Sequence, residues 1–222
     1  MGKIGSYFQP AMLYRYRSLD NDTLEREVSA IEKSTLRCAL YHELNDPMEG
    51  SFARIEHLEN KAARKELLQR AADAKELVRI CSFSETHNNE IMWAHYAKDF
   101  TGMCIEYRFD SLLSATREGT EFIRLSYRDK PPQFRTTMNP EDVAKRFLSC
   151  KTYRWRYEQE WRLFCKDEFL TYTRNKCVES IYLGARTSPA NQAAIVKRME
   201  PLHIRVRLMS LDGYSMSFST IG

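Results

Sequence analysis

Segments in which large apolar or aromatic residues alternate with polar ones recur along this chain of 222 residues. A period of two is typical of a β-strand that buries one face and exposes the other. Turn-forming residues lie at the ends of several of these segments, and Asp212-Gly213 predicts a hairpin. The predicted strands lie in AMLYRYRS, LRCALYHELNDPMEG, RICSFSE, GMCIEYRF, FIRLSYRD, RYEQEWRLFCK, VESIYLG, HIRVRLMSL and YSMSFST.

Helical patterns interrupt these strands at irregular intervals. The clearest is NKAARKELLQRAADAKELV, which is rich in strong helix formers and lacks Gly and Pro. Others are LDNDTLEREVSAIEKS, NNEIMWAHYAK, PEDVAKRFLSCK and SPANQAAIVKRME. Because regular βαβ units are missing, we predict the α+β class, with a twisted mixed or antiparallel sheet and flanking helices. The length suits one globular domain over 1–222, with a core over roughly 12–218.

The composition excludes several classes of protein. The six cysteines form no CxxC pair, so we expect free thiols in a reducing compartment and no structural zinc. No apolar run approaches the roughly 18 residues of a membrane helix, and the start lacks a signal-peptide core, so we expect a cytoplasmic protein without membrane contact. No GxGxxG, Walker or GxSxG motif is present, so any phosphate would need Arg, Lys or a helix N-terminus. A net charge of +4 favours an anionic substrate without requiring nucleic acid.

Two carboxylates lie two residues apart in the aromatic segment WRYEQEWRLF. If this segment is a strand, Glu158 and Glu160 share one face. Two carboxylates on one face repel each other, and this raises a pKa unless cations lie nearby. An exposed strand face with scattered ion pairs is the simpler interpretation of the pair taken alone.

Two further polar clusters occur on predicted strands. LYRYRS puts Tyr16 on one face of its strand and both Arg15 and Arg17 on the other. Arginine suits bidentate phosphate contacts, although solvated arginines are the simpler interpretation. CSFSE puts the hydroxyls of Ser82 and Ser84 on one face, where they could bond a ligand or form a polar layer.

A third cluster, MWAHYA, lies on a predicted helix. Trp93 and Tyr96 are three residues apart, which most often indicates core packing. His95 points away from the face that Trp93 and Tyr96 share, and it could be either a hydrogen-bonding group of the core or a site residue. It has no second histidine at helical spacing, so we expect no metal site.

The combination of these clusters in order resembles an uncharacterised bacterial family, one of the numbered domains of unknown function. Members of that family read LYKYR, NDPFE, CFSE, MWxHYA and YExEWR, and this chain reads LYRYRS, LNDPMEG, CSFSE, MWAHYA and YEQEWR. The resemblance extends over residues 13–185. It implies a bacterial or phage-associated intracellular protein and supplies no established activity.

A more distant resemblance is to the ADP-ribosyltransferase fold, whose members use NAD as substrate. The resemblance implies that Arg15 lies on the first core strand and that Glu158-Gln159-Glu160 is the ExE motif. SFS stands here where that fold usually has STS. Glu160 would then be the catalytic carboxylate, and Glu158 would position or deprotonate a protein or nucleic-acid acceptor. The other residues expected to contact NAD are Tyr16, Arg17, Ser82, Ser84, Trp93, His95 and Tyr96.

Chemistry supports these assignments. Cleavage of the nicotinamide–ribose bond develops positive charge on the sugar, which a carboxylate stabilises. An arginine can hold the diphosphate, and aromatic rings can enclose nicotinamide. Such an enzyme would serve as a bacterial toxin or an anti-phage defence effector. We expect Glu160→Gln to abolish its activity and to leave the melting temperature nearly unchanged.

Two alternatives belong to other functional classes. The Arg-aromatic interleaving in YRWRYEQEWR also suits a protein that binds or cuts nucleic acid. A metal-dependent nuclease would need clustered carboxylates, for which Asp46, Glu49, Glu85 and Glu160 are candidates. The other alternative is a non-catalytic sensor or interaction module of a defence or toxin–antitoxin system, in which the aromatic clusters form a rigid core.

Overall fold

A mixed sheet of ten strands organises the protein in the computed structural model, which describes residues 3–4, 9–46, 48–50, 61–116, 119–172 and 177–221. The strands are β1 (Lys3–Ile4), β2 (Met12–Arg17), β3 (Thr35–Arg37), β4 (Ala39–Leu40), β5 (Arg79–Ser84), β6 (Met103–Arg108), β7 (Glu121–Arg124), β8 (Ser126–Tyr127), β9 (Cys150–Lys151), β10 (Glu160–Cys165), β11 (Phe169–Thr171), β12 (Val178–Leu183), β13 (Arg205–Asp212) and β14 (Ser215–Thr220).

Helices flank this sheet. The α-helices are α1 (Asn21–Glu32), α2 (Lys61–Lys75), α3 (Glu90–Tyr96), α4 (Phe109–Ala115), α5 (Pro140–Leu148) and α6 (Pro189–Met199), and the 3₁₀ turns are Tyr41–Glu43, Tyr153–Glu158 and Glu200–Leu202. The side chains of Asn89 and Asn139 cap α3 and α5 by accepting hydrogen bonds from backbone N–H groups, and Ser188 caps α6 in the same way. No helix in the described part of the chain is long and apolar enough to cross a bilayer.

The large sheet has the order β1-β7-β10-β5-β2-β6-β12-β13-β14, and β4 pairs with β5. β1 pairs with β7 in parallel, as β12 does with β13, whereas the remaining pairs of this sheet are antiparallel. Two small sheets, β3 with β11 and β8 with β9, complete the fold. The predicted α+β class with a mixed sheet in a single domain is therefore confirmed.

The two faces of the sheet differ in polarity. One face is the main apolar core, where α1, α4 and α6 pack on residues such as Leu13, Phe83 and Trp161. Residues paired across antiparallel strands point to the same side, so the opposite face carries Glu160 with Ser84, and Arg162 with Ser82. Helix α3 and the 3₁₀ turn Tyr153–Glu158 pack over this polar face. Its side chains line the floor of a cavity.

The strand predicted over RYEQEWRLFCK is wrong in its first half. Residues Tyr153–Glu158 form a 3₁₀ turn, and Gln159 adopts a left-handed conformation with φ of 44°. β10 begins only at Glu160. Glu158 therefore precedes the strand and does not share a strand face with Glu160. The alternation predicted this strand correctly from Glu160 onward.

Two further segments differ from the structure predicted for them. LRCALYHELNDPMEG was expected to form one strand and a turn, but it forms β3, β4 and the 3₁₀ turn Tyr41–Glu43. Pro47 of this segment lies outside the described residues. The short helix α4 directly follows β6 and was not predicted, because its seven residues are too few to show a helical period.

Candidate functional site

A cavity of about 270 Å³ opens where β2 and β5 part. These neighbouring strands pair at one position, Tyr14 with Ser84, and diverge beyond it. Ser84 is paired on its other side with Glu160 of β10. Tyr14, Ser84 and Glu160 therefore form a row across three strands, and all three line the cavity.

Lys151 of β9 lies at the centre of an ion cluster beneath this cavity. Its Nζ is 2.6 Å from Glu158 Oε2, 3.0 Å from Glu49 Oε1 and 3.3 Å from Glu160 Oε2. All four side chains are buried. Burial strengthens these interactions because little water screens them.

Arg162 supplies the second cation of the cluster. Its Nε and Nη2 both donate to the carboxylate of Glu160, at 2.7 and 3.1 Å, which is a bidentate arrangement. The same Nη2 lies 2.5 Å from Glu49 Oε2, and Nη1 donates to the carbonyl of Leu148 at 2.7 Å. The guanidinium is thus fixed on several sides, and Glu160 is held rigidly by it.

The environments of the two glutamates drive their pKa values apart. Burial and the neighbouring Glu160 charge raise the pKa of Glu158 to about 7, against the opposing effect of Lys151. Burial alone would raise the pKa of Glu160, but Arg162 and Lys151 lower it to about 2. Tyr96 of α3 donates from its hydroxyl to Glu158 Oε1 at 2.5 Å. One carboxylate can therefore exchange a proton near neutral pH, while the other stays ionised.

Local backbone geometry brings Glu158 to this position. The left-handed turn at Gln159 reverses the chain between the 3₁₀ turn and β10. Ser84 donates from its hydroxyl to the carbonyl of Glu158 at 2.7 Å, which fastens the turn to β5. The N–H of Glu160 donates to the hydroxyl of Tyr127 at 2.7 Å. The two glutamates meet at Lys151 because of this turn.

Two arginines of β2 also line the cavity, although alternation points them away from Tyr14. Arg17 forms an ion pair with Glu27 of α1. Arg15 donates from Nη2 to the carbonyl of Arg37 at 3.1 Å, and it forms no ion pair with any residue that the structure describes. Arg15 is therefore the arginine of this wall without a salt bridge among the described residues, although the nearby carboxylate of Glu27 also interacts with its charge.

Eight of the ten residues predicted to form a site line this one cavity. They are Arg15, Tyr16, Arg17, Ser82, Ser84, Tyr96, Glu158 and Glu160. Ser82 hydrogen-bonds the carboxylate of Glu160. Ser84 is buried and acts on the backbone of the turn.

The other two residues, Trp93 and His95, lie elsewhere. Trp93 is fully buried, packs edge to face on Tyr16 at 5.3 Å and donates to the carbonyl of His87 at 2.7 Å. Its role is core packing, which its helical spacing indicated. His95 is exposed on α3 and does not line the cavity. The expectation that both contact a ligand beside Glu160 is therefore corrected.

The cluster contains one residue that the sequence did not single out. Lys151 lies in the segment SCKTYRW, in which no residue spacing links it to the ExE motif. The tertiary fold brings its ammonium group to Glu158 and Glu160. From the sequence, Glu49 is only a candidate nuclease carboxylate. It reaches the same cluster from the segment after β4, through Lys151 and Arg162.

Of the four candidate nuclease carboxylates, Glu49 and Glu160 share the cations of this cluster, whereas Glu85 has other partners. The carboxylate of Glu85 accepts hydrogen bonds from Arg124 at 2.7 Å and from the Trp161 indole at 2.6 Å. Cations already lie between Glu49 and Glu160. Within the described ranges, no group of three or more His, Cys, Asp and Glu side chains is arranged to hold a metal ion.

The segment from α3 through most of β10 can be compared with known families. Residues 92–163 match the model of a family described as a protein of unknown function, DUF2971. The expected resemblance to an uncharacterised family is thus confirmed over these residues. They include Tyr96, Lys151, Glu158, Glu160 and Arg162 of the site. No curated protein and no solved structure matches the chain.

Proposed function

We propose that this protein is an ADP-ribosyltransferase-like enzyme that cleaves the nicotinamide–ribose bond of NAD and passes ADP-ribose to an acceptor or to water. The observation that carries the proposal is geometric: Glu158 and Glu160 are buried and share Lys151, and Arg162 binds both oxygens of Glu160, so that the pKa of Glu158 is raised and that of Glu160 is lowered. A pair of carboxylates whose pKa values differ in this way suits the division of roles in glycosyl transfer.

Glu160 is the carboxylate for charge stabilisation. It stays ionised at neutral pH and cannot rotate freely, because Arg162 binds both of its oxygens. A fixed negative charge stabilises the positive charge that develops on ribose when nicotinamide leaves. Since it is already in place, it requires little reorganisation during the reaction.

Glu158 is the proton acceptor. A base with a pKa near the working pH transfers protons most effectively. In the transfer step the C1′–N bond breaks, and neutral nicotinamide leaves with the electron pair. An oxygen or nitrogen of the acceptor forms the new bond to C1′, and its proton passes to Glu158 and then to solvent.

The cavity walls suit the remainder of the nucleotide. Arg15 lines the cavity and is the residue that we assign to the diphosphate, because guanidinium groups bind phosphate in a bidentate manner. The hydroxyl of Tyr14 donates to Glu106 at 3.0 Å and that of Tyr16 to the carbonyl of Thr86 at 2.9 Å, so both rings are held as cavity walls. The volume is slightly below the roughly 300–1,000 Å³ of sites for drug-sized ligands. We therefore expect it to enclose nicotinamide and its ribose, with the adenosine half outside.

Labelled NAD provides the test. We would incubate wild-type protein with NAD labelled in its adenylate phosphate and with a bacterial lysate, and measure label on macromolecules and free nicotinamide. We expect Glu160→Gln to abolish both signals and Glu200→Gln, an exposed glutamate, to retain them. Circular dichroism would show that each variant is folded. If Glu160→Gln retains full activity, Glu160 is not the catalytic carboxylate.

The cellular role follows from the same chemistry. An enzyme that consumes NAD or modifies essential molecules would harm the cell in which it acts, and we therefore propose a toxin or anti-phage effector. We expect wild-type protein to arrest bacterial growth when it is produced, and Glu160→Gln not to do so. Equal arrest by both proteins at equal abundance would count against a catalytic toxin and favour a non-catalytic interaction module.

A further inference from the structure

A ridge of alternating aromatic and basic residues lies beside the cavity. It consists of residues Tyr153–Tyr157, which form most of the 3₁₀ turn that ends at Glu158. Tyr153 is 50% exposed, Arg154 and Arg156 are exposed, and Trp155 is half-buried. None of these side chains takes part in the proposed cleavage of NAD.

The ridge is ordered by contacts among its own residues and with Lys151. The Arg156 guanidinium lies 5.1 Å from the centre of the Tyr153 ring, and it also hydrogen-bonds the Tyr153 hydroxyl. Trp155 stacks against Lys151, whose Nζ is 4.7 Å from the ring centre. The cation that binds the catalytic glutamates therefore also supports the inner side of the ridge.

No described carboxylate forms an ion pair with Arg154 or Arg156, the exposed arginines of the ridge. A third exposed arginine, Arg128, is adjacent, since its backbone N–H donates to the carbonyl of Lys151 at 2.9 Å. Elsewhere on this protein arginines such as Arg37 and Arg198 bind glutamates. The ridge thus combines arginines that have no ion-pair partner among the described residues with exposed aromatic rings.

We propose that the acceptor of ADP-ribose is a single-stranded nucleic acid that binds along this ridge. Arginines that lack carboxylate partners suit phosphates, and exposed rings suit stacking with unpaired bases. In a duplex the bases already stack on one another and are not available to Tyr153. The acceptor assignment rests on the proposed ADP-ribosyl transfer, whereas binding to the ridge does not.

The position of Glu158 makes this acceptor chemically reasonable. Glu158 directly follows the ridge in sequence, and its carboxylate enters the cavity. A nucleotide that turns inward from the ridge can therefore offer a hydroxyl or a base nitrogen to C1′ of the ribose. The new bond forms at C1′, nicotinamide leaves with the electron pair of the old bond, and the acceptor proton passes to Glu158.

Binding of a fluorescent single-stranded oligonucleotide of mixed sequence, as DNA and as RNA, tests the ridge without NAD. We expect the single strand to bind more tightly than the matched duplex. The double variant R154A/R156A should lower the slope of log affinity against log salt concentration by about 1.4, because each arginine that contacts a phosphate contributes about 0.7. The control R70A/R146A removes two exposed arginines of α2 and α5 and should leave the slope unchanged.

Tyr153 provides a second and more local test. Tyr153→Ala should weaken binding about 5- to 150-fold, which corresponds to the loss of one stacked base. Tyr153→Phe keeps the ring and should bind as wild type. Because Tyr153 is half exposed, neither change should prevent folding.

The outcomes separate this inference from the proposed function. Equal binding by R154A/R156A and R70A/R146A, or tighter binding of duplex than of single strand, would overturn the nucleic-acid assignment. So would transfer of label from NAD to protein alone. If the protein releases nicotinamide but binds no oligonucleotide, the acceptor inference fails and the proposed function stands. If it binds through the ridge but never cleaves NAD, the proposed function fails.

Discussion

Glu158 is expected to make the protein less stable as the pH rises from about 5 to about 8. Its pKa is raised from an ordinary 4.5 to about 7, first by burial and then by Glu160. Between these values the folded protein holds a proton that the unfolded chain has released, so raising the pH removes stability from the folded state. One pKa unit corresponds to about 1.4 kcal/mol, and the contribution lost is therefore about 3 kcal/mol.

The substitution Glu158→Gln isolates this contribution, because glutamine has a similar shape and does not ionise. Urea unfolding of both proteins at several pH values gives the difference in free energy of unfolding, wild type minus variant. We expect this difference to fall by about 3 kcal/mol between pH about 5 and about 8, while contributions from other groups cancel. A difference that stays constant or rises with pH would refute the reasoning. It would mean that Lys151 outweighs burial at this carboxylate.

Three further variants, with Lys145→Met as a control, probe the ion cluster. Lys151→Met should lower the free energy of unfolding by about 3–5 kcal/mol, because three buried carboxylates lose a shared cation. Lys145→Met removes a lysine that is less deeply buried, so urea unfolding should show a smaller loss of free energy. Tyr96→Phe removes a hydrogen bond that lowers the pKa of Glu158, so the pH–rate profile of nicotinamide release should move to higher pH. Glu160→Gln should lower the melting temperature, with the largest loss above pH about 4.5, where the folded protein benefits from the depressed pKa of Glu160.

The last of these expectations differs from the one drawn from the sequence. Viewed as a residue of an open strand face, Glu160 could be replaced without affecting stability. In the fold it is buried and bonded to Arg162 and Lys151. Removing its charge leaves those cations with fewer partners, which destabilises the folded state. The sequence could not show this, because Lys151 reaches the cluster through the pairing of β9 with β8.

The strands could be predicted where one face is buried and the other polar. β2, β5 and β10 show this alternation, which correctly placed Tyr16 opposite Arg15, put Ser82 on the same face as Ser84, and located β10 from Glu160 onward. The rule failed at Glu158, because a left-handed residue at Gln159 interrupts the period. Such a turn has no signature when the residue is not glycine or asparagine. The two glutamates still converge, although through a turn and not through a shared strand.

The composition of the cavity could be predicted only in part. Motif resemblance identified residues from β2, β5, α3 and β10 that line one cavity. It also included Trp93 and His95, because a motif does not reveal which side of a short helix faces a site. Burial of Trp93 and exposure of His95 are set by how α3 packs on Tyr16 and Phe218.

Release of nicotinamide from NAD by the purified full chain tests the central claim most directly. It should be measured at several pH values, with and without single-stranded DNA or RNA and with lysate. We expect wild-type protein to release nicotinamide at a rate that rises as the pH passes about 7, since Glu158 must lose its proton, and Glu160→Gln to release none. If folded wild-type protein releases no nicotinamide at any pH with any acceptor, the assignment of this cavity to NAD cleavage is contradicted.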